Sequence, residues 1–138
     1  LGLLKAKNKQ TLEAVRNAIL DDRDPRLRTA AARAASEIGD PYLVSYVKKA
    51  YERHIQGRAE LIVHLKYSKN QETVDFLIGR CARDDRADVR TSAIHTLKLL
   101  SDEDYDAIED WESWWSIAKH RPDWVQVESV DAQGAKKK

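Results

Sequence analysis

At 138 residues the chain is one domain by length and is long enough to bury a continuous core. Its 24 Lys and Arg stand against 23 Asp and Glu, and three of the lysines are the terminal Lys136, Lys137 and Lys138, so no global field favours nucleic acid or an anionic membrane. A single cysteine, Cys81, excludes an intramolecular disulfide framework and a cysteine-rich zinc site, and no apolar run approaches the ~18–20 residues of a membrane span.

Few Gly, few Pro, 7% aromatic residues and 34% charged residues favour helices over sheets. The start, Leu1-Gly2-Leu3-Leu4-Lys5, has neither an initiating Met nor a signal-peptide layout and reads as the cut edge of a longer protein. A soluble chain, with the cytoplasm favoured, is the expectation.

The first predicted helix covers 10–20 and closes at Asp21-Asp22-Arg23-Asp24. Asp24 is the expected N-cap of the next, with Pro25 at its first position, where a missing N–H costs nothing. Leu27, Ala30, Ala31, Ala34, Ala35 and Ile38 form one helical stripe, expected to be buried, before Gly39 stops the helix. Asp40-Pro41 starts a helix over 41–52, and another follows over 56–68 with Gly57 near its start. Helices over 71–83 and 87–100 come next, with Cys81 on the apolar stripe of the first and Val89, Ala93, Leu97 and Leu100 as the buried row of the second. Ser101 is the expected N-cap of a last helix over 103–119, with Asp104 completing a capping box. Its stripe is Ala107, Ile108, Trp111, Trp114, Trp115 and Ala118. Arg121-Pro122 breaks it, Trp124 follows, and the polar stretch 125–138 is expected to be a disordered tail.

Self-comparison shows a repeat. Asp22-Arg-Asp-Pro-Arg-Leu-Arg28-Thr-Ala-Ala31 matches Asp84-Asp-Arg-Ala-Asp-Val-Arg90-Thr-Ser-Ala93 at a shift of 62 residues without a gap. Leu12, Val15 and Ile19 then fall on Val74, Leu77 and Cys81. Half the shift exposes a middle copy, in which Leu43 and Ala50 follow Leu12 and Ile19, while Ile62 and Leu65 follow Ala31 and Ala34.

Helix pairs of this length, with a turn acid and Leu27-Arg28-Thr-Ala-Ala31 or Val89-Arg90-Thr-Ser-Ala93 entering the second helix, resemble HEAT repeats, most closely the short bacterial kind also found in phycobilisome lyase subunits. The resemblance covers 10–100 and speaks to fold more than to activity. It implies an all-α, right-handed α-solenoid of about three helix pairs (about 10–40, 41–70 and 71–101) in one domain over 1–124, closed by a Trp-rich capping helix at about 103–119. It also implies a polar ladder of turn Asp and helix Arg between neighbouring repeats. The middle repeat departs from this, with Ala59 at the Arg position and His54-Ile55-Gln56-Gly57 in place of the acidic turn, so a broken ladder and a distorted turn are expected there. The Trp111-x-x-Trp114-Trp115 helix is similar to those that close such arrays in large bacterial multidomain proteins. Because a repeat stack exposes apolar surface where it stops, the three indoles suit a cap; an exposed aromatic binding site is the other reading.

No catalytic signature accompanies the repeats. Turns two repeats apart should lie roughly 20 Å apart given helix spacings of ~8–10 Å, too far for paired carboxylate catalysis. Neither acidic turn has calcium-loop spacing, and His54, His64, His95 and His120 show no zinc-ligand spacing. No Gly-rich phosphate loop or nucleophile elbow is present. The chain is therefore expected not to be an enzyme and to need no cofactor or metal.

The second helix of each pair lines the concave side in HEAT-like arrays. Aligning these helices gives the columns Thr29–Glu60–Thr91, Ala32–Val63–Ile94, Arg33–His64–His95 and Ser36–Tyr67–Lys98. A partner-binding face is expected from Arg33, Val63, His64, Tyr67, Ile94, His95 and Lys98, centred on Tyr67; an ordinary solvated face is the alternative. The histidines, with an ordinary pKa near ~6.5, predict tighter binding of an acidic partner towards pH 6. A non-enzymatic protein-interaction or scaffolding module, a fragment of a larger protein, is the leading expectation. A nucleic-acid-binding HEAT-like domain and an accessory subunit of a prosthetic-group lyase are the alternatives, with nucleic acid disfavoured by the charge balance.

Overall fold

The computed structural model describes the course of residues 2–124 and the side-chain surroundings of residues 11–124; the expected disordered tail at 125–138 lies outside the described residues. It is all-helical, with no strand among those residues. Helix α1 (Gly2–Asp21) begins well before the expected start at 10, and α2 (Pro25–Ile38) and α3 (Leu43–Arg53) follow. Helix α4 (Arg58–Ile62) continues as a 3-10 segment, Val63–Tyr67. Helix α5 (Gln71–Gly79) ends in a 3-10 turn, Cys81–Arg83, before α6 (Ala87–Ser101) and α7 (Ile108–Ala118).

The caps of α2 follow from its sequence. The Asp24 carboxylate accepts from the Arg26 amide at 2.9 Å, Pro25 occupies the first turn, and Gly39 closes the helix at φ 80°. Asn70 caps α5 in the same way, accepting from the Thr73 amide at 2.8 Å. Helices α1, α3 and α5 contact one another in turn, as do α2, α4 and α6, and each odd helix also packs on the even helix that follows it. The core lies between these two rows. Residues aligned by the repeat are buried in it, among them Ile19, Ala31, Leu43, Ala50, Ile62, Leu65, Val74, Leu77 and Cys81.

The stripe expected on α2 is rotated. Arg28, Ala31, Ala32 and Ala35 are buried, whereas Leu27 and Ile38 are each 54% exposed and Ala30 is exposed as well. Arg28 sets this orientation. Its Nη1 donates to the Asp22 and Arg23 carbonyls at 2.8 and 3.2 Å, and its Nη2 reaches the Gln56 carbonyl at 2.7 Å. One buried guanidinium thus satisfies three carbonyl oxygens, which turns its neighbour Leu27 outward.

The last helix is shorter than expected, and Ser101 does not cap it. Ser101 is the final residue of α6, donating to the Leu97 carbonyl at 2.7 Å and accepting from the Glu103 amide at 3.1 Å. Asp102 ends α6 in the left-handed region at φ 60°, and Asp104 bonds to Lys98 instead of completing a capping box. Helix α7 packs on α5. Trp111, Trp115 and Trp124 are buried, Trp114 is half-buried, and the four indoles meet one another at centroid distances of 5.2–5.9 Å. The two helical indole N–H groups that are bonded reach the Tyr105 carbonyl (Trp111, 2.8 Å) and Asp75 (Trp115, 2.7 Å).

Candidate functional site

Of the seven residues expected to form one face, the structure gathers three. Ile94, His95 and Lys98 of α6 line a cleft of about 560 Å³, together with Ala82, Arg90, Thr91, Asp106 and Ile108. Residues 91, 94, 95 and 98 follow helical spacing, which is why sequence alone placed them on one stripe. The floor is apolar, from Ile94 and Ile108, and the walls carry Arg90, His95, Lys98 and Asp106.

The other four residues stand apart from this cleft. Tyr67 is 77% exposed at the end of the 3-10 segment and borders a smaller cleft of about 200 Å³ with Ser36, Pro41, Leu43 and Lys69. Arg33 is exposed and pairs with Glu37 at 3.1 Å along its own helix. Val63 and His64 are half-buried. The cause of this division is the change from α-helix to 3-10 at Val63, which alters the rotation per residue and takes 63, 64 and 67 out of the alignment assumed for three equal helices.

His64 is shifted in its titration by its surroundings. Burial, together with the charges of Lys66 and Arg33 and against the pull of Glu37, holds its pKa below the ordinary histidine range. Protonation of His64 is therefore displaced to more acid pH than for an ordinary histidine.

Arg90, Asp106 and Ile108 were missed as cleft residues. Arg90 was read as a ladder residue between repeats; its Nη1 donates to the Asp84 and Asp85 carbonyls at 2.8 and 2.9 Å, both within its own turn. Asp106 and Ile108 were assigned to one helix, but the chain over 102–107 is an irregular strap that brings them beside α6. Glu109-Asp110 suits the first turn of a helix starting at Ile108, but Glu103-Asp104 suits a start at 103 equally, so local sequence does not separate strap from helix.

A second cluster of chemically capable groups surrounds Asp84. This buried carboxylate accepts from the Tyr51 hydroxyl, from Arg58 at 3.1 Å and from Arg80 at 3.5 Å. Both guanidiniums lie over the Tyr51 ring, 4.3 and 5.0 Å from its centroid. Burial raises the pKa of Tyr51, with the Asp84 hydrogen bond adding to it, and burial also raises that of the neighbouring Cys81 thiol. Neither is thereby poised as a nucleophile, because each is held in its neutral form and is fully buried. Among the described residues no group of His, Cys, Asp or Glu is placed to hold a metal ion, and no helix is long and apolar enough to cross a membrane.

No protein-family model, curated protein or solved structure matches the chain.

Proposed function

We propose that the chain is a right-handed, HEAT-like α-solenoid of three helix pairs and that it works as a non-enzymatic protein-interaction module. The solenoid reading rests on the gapless 62-residue repeat and on the shared geometry of its two copies. Asp22 and Asp84 each accept from the amide two residues on, at 3.0 Å in both turns, and Arg28 and Arg90 each donate to the carbonyls of their own turn. The handedness follows from the family resemblance.

The single observation that carries the functional reading is the cleft on α6. It combines an apolar floor with charged walls, on which Arg90 and Lys98 outnumber Asp106, and is open to a peptide or protein surface, whereas the buried polar cluster at Asp84 is used up holding helices together. Partner capture from an extract of the source cells tests this, using wild type and the variants Ile94→Ala, Lys98→Ala and Tyr67→Ala, each checked for helix content. Loss of the partner with the α6 variants and its retention by Tyr67→Ala is the expected result. Retention by all three excludes the cleft. A labelled DNA duplex titrated at ~50 and ~200 mM salt provides the contrast, because submicromolar binding that weakens steeply between them reports phosphate contacts.

A further inference from the structure

Two carboxylates already sit on the cationic wall of the cleft. The strap over 102–107 leaves α6 at Asp102 and alternates in direction. Tyr105 turns towards the cap: its ring meets Trp111 edge-on at 5.1 Å, its carbonyl accepts from the Trp111 indole at 2.8 Å, and its hydroxyl donates to Glu103 at 3.1 Å. The residues on either side turn the other way. Asp104 and Asp106 both bond to the Lys98 ammonium, at 3.0 and 2.8 Å. The strap backbone is thus anchored through Tyr105 while both acidic side chains remain 87% and 93% exposed and can swing away without moving it.

Nothing in the packing calls for two carboxylates on one lysine. Seven of the eleven residues over 102–112 are Asp or Glu, so these groups repel one another, and an exposed ion pair contributes little against its entropy. Their bonds, Asp106 first and Asp104 second, hold Lys98 above the ordinary lysine range. The chemistry that Lys98 accepts is therefore plain in its own contacts: a carboxylate, held at the rim of an apolar floor.

Resting on the interaction-module reading, we propose that Asp104 and Asp106 are intramolecular stand-ins for an acidic partner segment, which binds the α6 cleft by displacing them from Lys98 and placing an apolar side chain against Ile94 and Ile108. The occupant is an acidic peptide segment with an apolar residue next to its carboxylates. Charge complementarity selects it: once Asp104 and Asp106 leave Lys98, the cleft presents the two cations Arg90 and Lys98, with the His95 imidazole beside them. A basic segment would meet the cations Arg90 and Lys98, and the strap carboxylates Asp104 and Asp106 that could attract it are already bonded to Lys98. The strap raises the affinity a partner must supply, so weakly acidic segments are turned away.

Fluorescence anisotropy with the whole chain and a labelled peptide of alternating glutamate and leucine tests this. The double variant Asp104→Asn/Asp106→Asn should bind about two- to five-fold more tightly than wild type, the span of an exposed ion pair. That gain should vanish in a Lys98→Ala background, since the two sites act through one contact. Glu109→Gln/Asp110→Asn removes the same charge from the same stretch without touching Lys98 and should change affinity much less. An equal gain from this control, or a gain that survives Lys98→Ala, overturns the stand-in role in favour of general charge repulsion. Equal binding by wild type and Asp104→Asn/Asp106→Asn also overturns it, yet leaves the interaction module standing, because the cleft still binds. Tighter binding of a lysine–leucine peptide than of the glutamate–leucine one, lost on Asp104→Asn/Asp106→Asn, would make the strap itself the docking surface and end the proposal. The interaction-module reading fails separately, if cleft variants never lose the captured partner.

Discussion

At the scale of the residue, the most consequential contact is one that composition hides. Asp84 is buried at 3% exposure, and burial alone would raise its pKa. The Tyr51 hydroxyl, the Arg86 amide and the charges of Arg58 and Arg80 outweigh that and hold it below the ordinary carboxylate range. A carboxylate more acidic in the folded state than in the unfolded chain contributes stability above its unfolded pKa of ~4, and that contribution is lost as pH falls through the lowered folded value. Asp84→Asn should therefore cost about 3 kcal/mol at neutral pH, the lower end for breaking a buried ion pair, because Arg80 is still reached by water. Urea unfolding at neutral pH and near pH ~3 checks both parts: wild type should lose more stability on acidification than the variant does. Parallel losses in the two proteins would remove Asp84 as an acid-sensitive group. The turn acids and arginines were legible in the sequence as structural partners, but their bonding was not. The expected Asp–Arg ladder is largely an Arg-to-carbonyl ladder, and spacing cannot tell a carboxylate acceptor from the carbonyl of the same residue.

At the scale of the element, the middle turn shows how a missing ladder residue is replaced. Ala59 stands where Arg28 and Arg90 stand in the other copies, and the preceding residue does the work. Arg58 donates to the Tyr51 carbonyl at 2.8 Å and to Asp84 of the next turn at 3.1 Å. His54 supplies another tie, its Nε2 lying 2.8 Å from the Leu20 carbonyl. The ladder is therefore shifted by one residue and is not broken. Helix α4 pays for this with only five α-helical residues before it tightens to 3-10. Gly57 makes the turn possible: its φ is 81°, and a Cβ there would come within 2.7 Å of the Pro25 Cβ. Gly57→Ala should cost about 2–4 kcal/mol, from the left-handed backbone together with the overlap against α2. Thermal unfolding monitored by circular dichroism measures it, and a melting temperature within a degree or so of wild type would mean that the turn relaxes freely. Gly57 was visible in the sequence as an irregularity near a helix start. That it lets two repeats approach closely depends on Pro25, 32 residues away, which no local pattern reports.

At the scale of the molecule, charge and aromatic area are both concentrated at one end. Residues 1–101 carry 19 Lys and Arg against 13 Asp and Glu, whereas residues 102–124 carry two against eight. The near-zero total conceals a cationic body and an acidic cap. Helix periodicity made the repeated body legible, because small and apolar positions recur together. The cap was read only in part, since the strap over 102–107 contains no glycine or proline to mark it as irregular. What holds the acidic end in place is Trp111, which is fully buried, bonds the strap through Tyr105 and meets the rings of Tyr105 and Trp114. Burial of that area offsets the mutual repulsion of the surrounding carboxylates. Trp111→Ala should accordingly cost about 3–5 kcal/mol, the range for truncating a large buried aromatic. Trp111→Phe keeps much of the apolar area but loses the N–H bond to Tyr105, so it should recover most of that stability. Denaturant unfolding followed by tryptophan fluorescence and by circular dichroism distinguishes two outcomes. If the cap closes the core, Trp111→Ala lowers both midpoints together, and added salt raises the midpoint of both variant and wild type as it screens the acidic end. An unchanged dichroism midpoint, with only the fluorescence transition displaced, would instead show that α7 rests on a body that is stable without it.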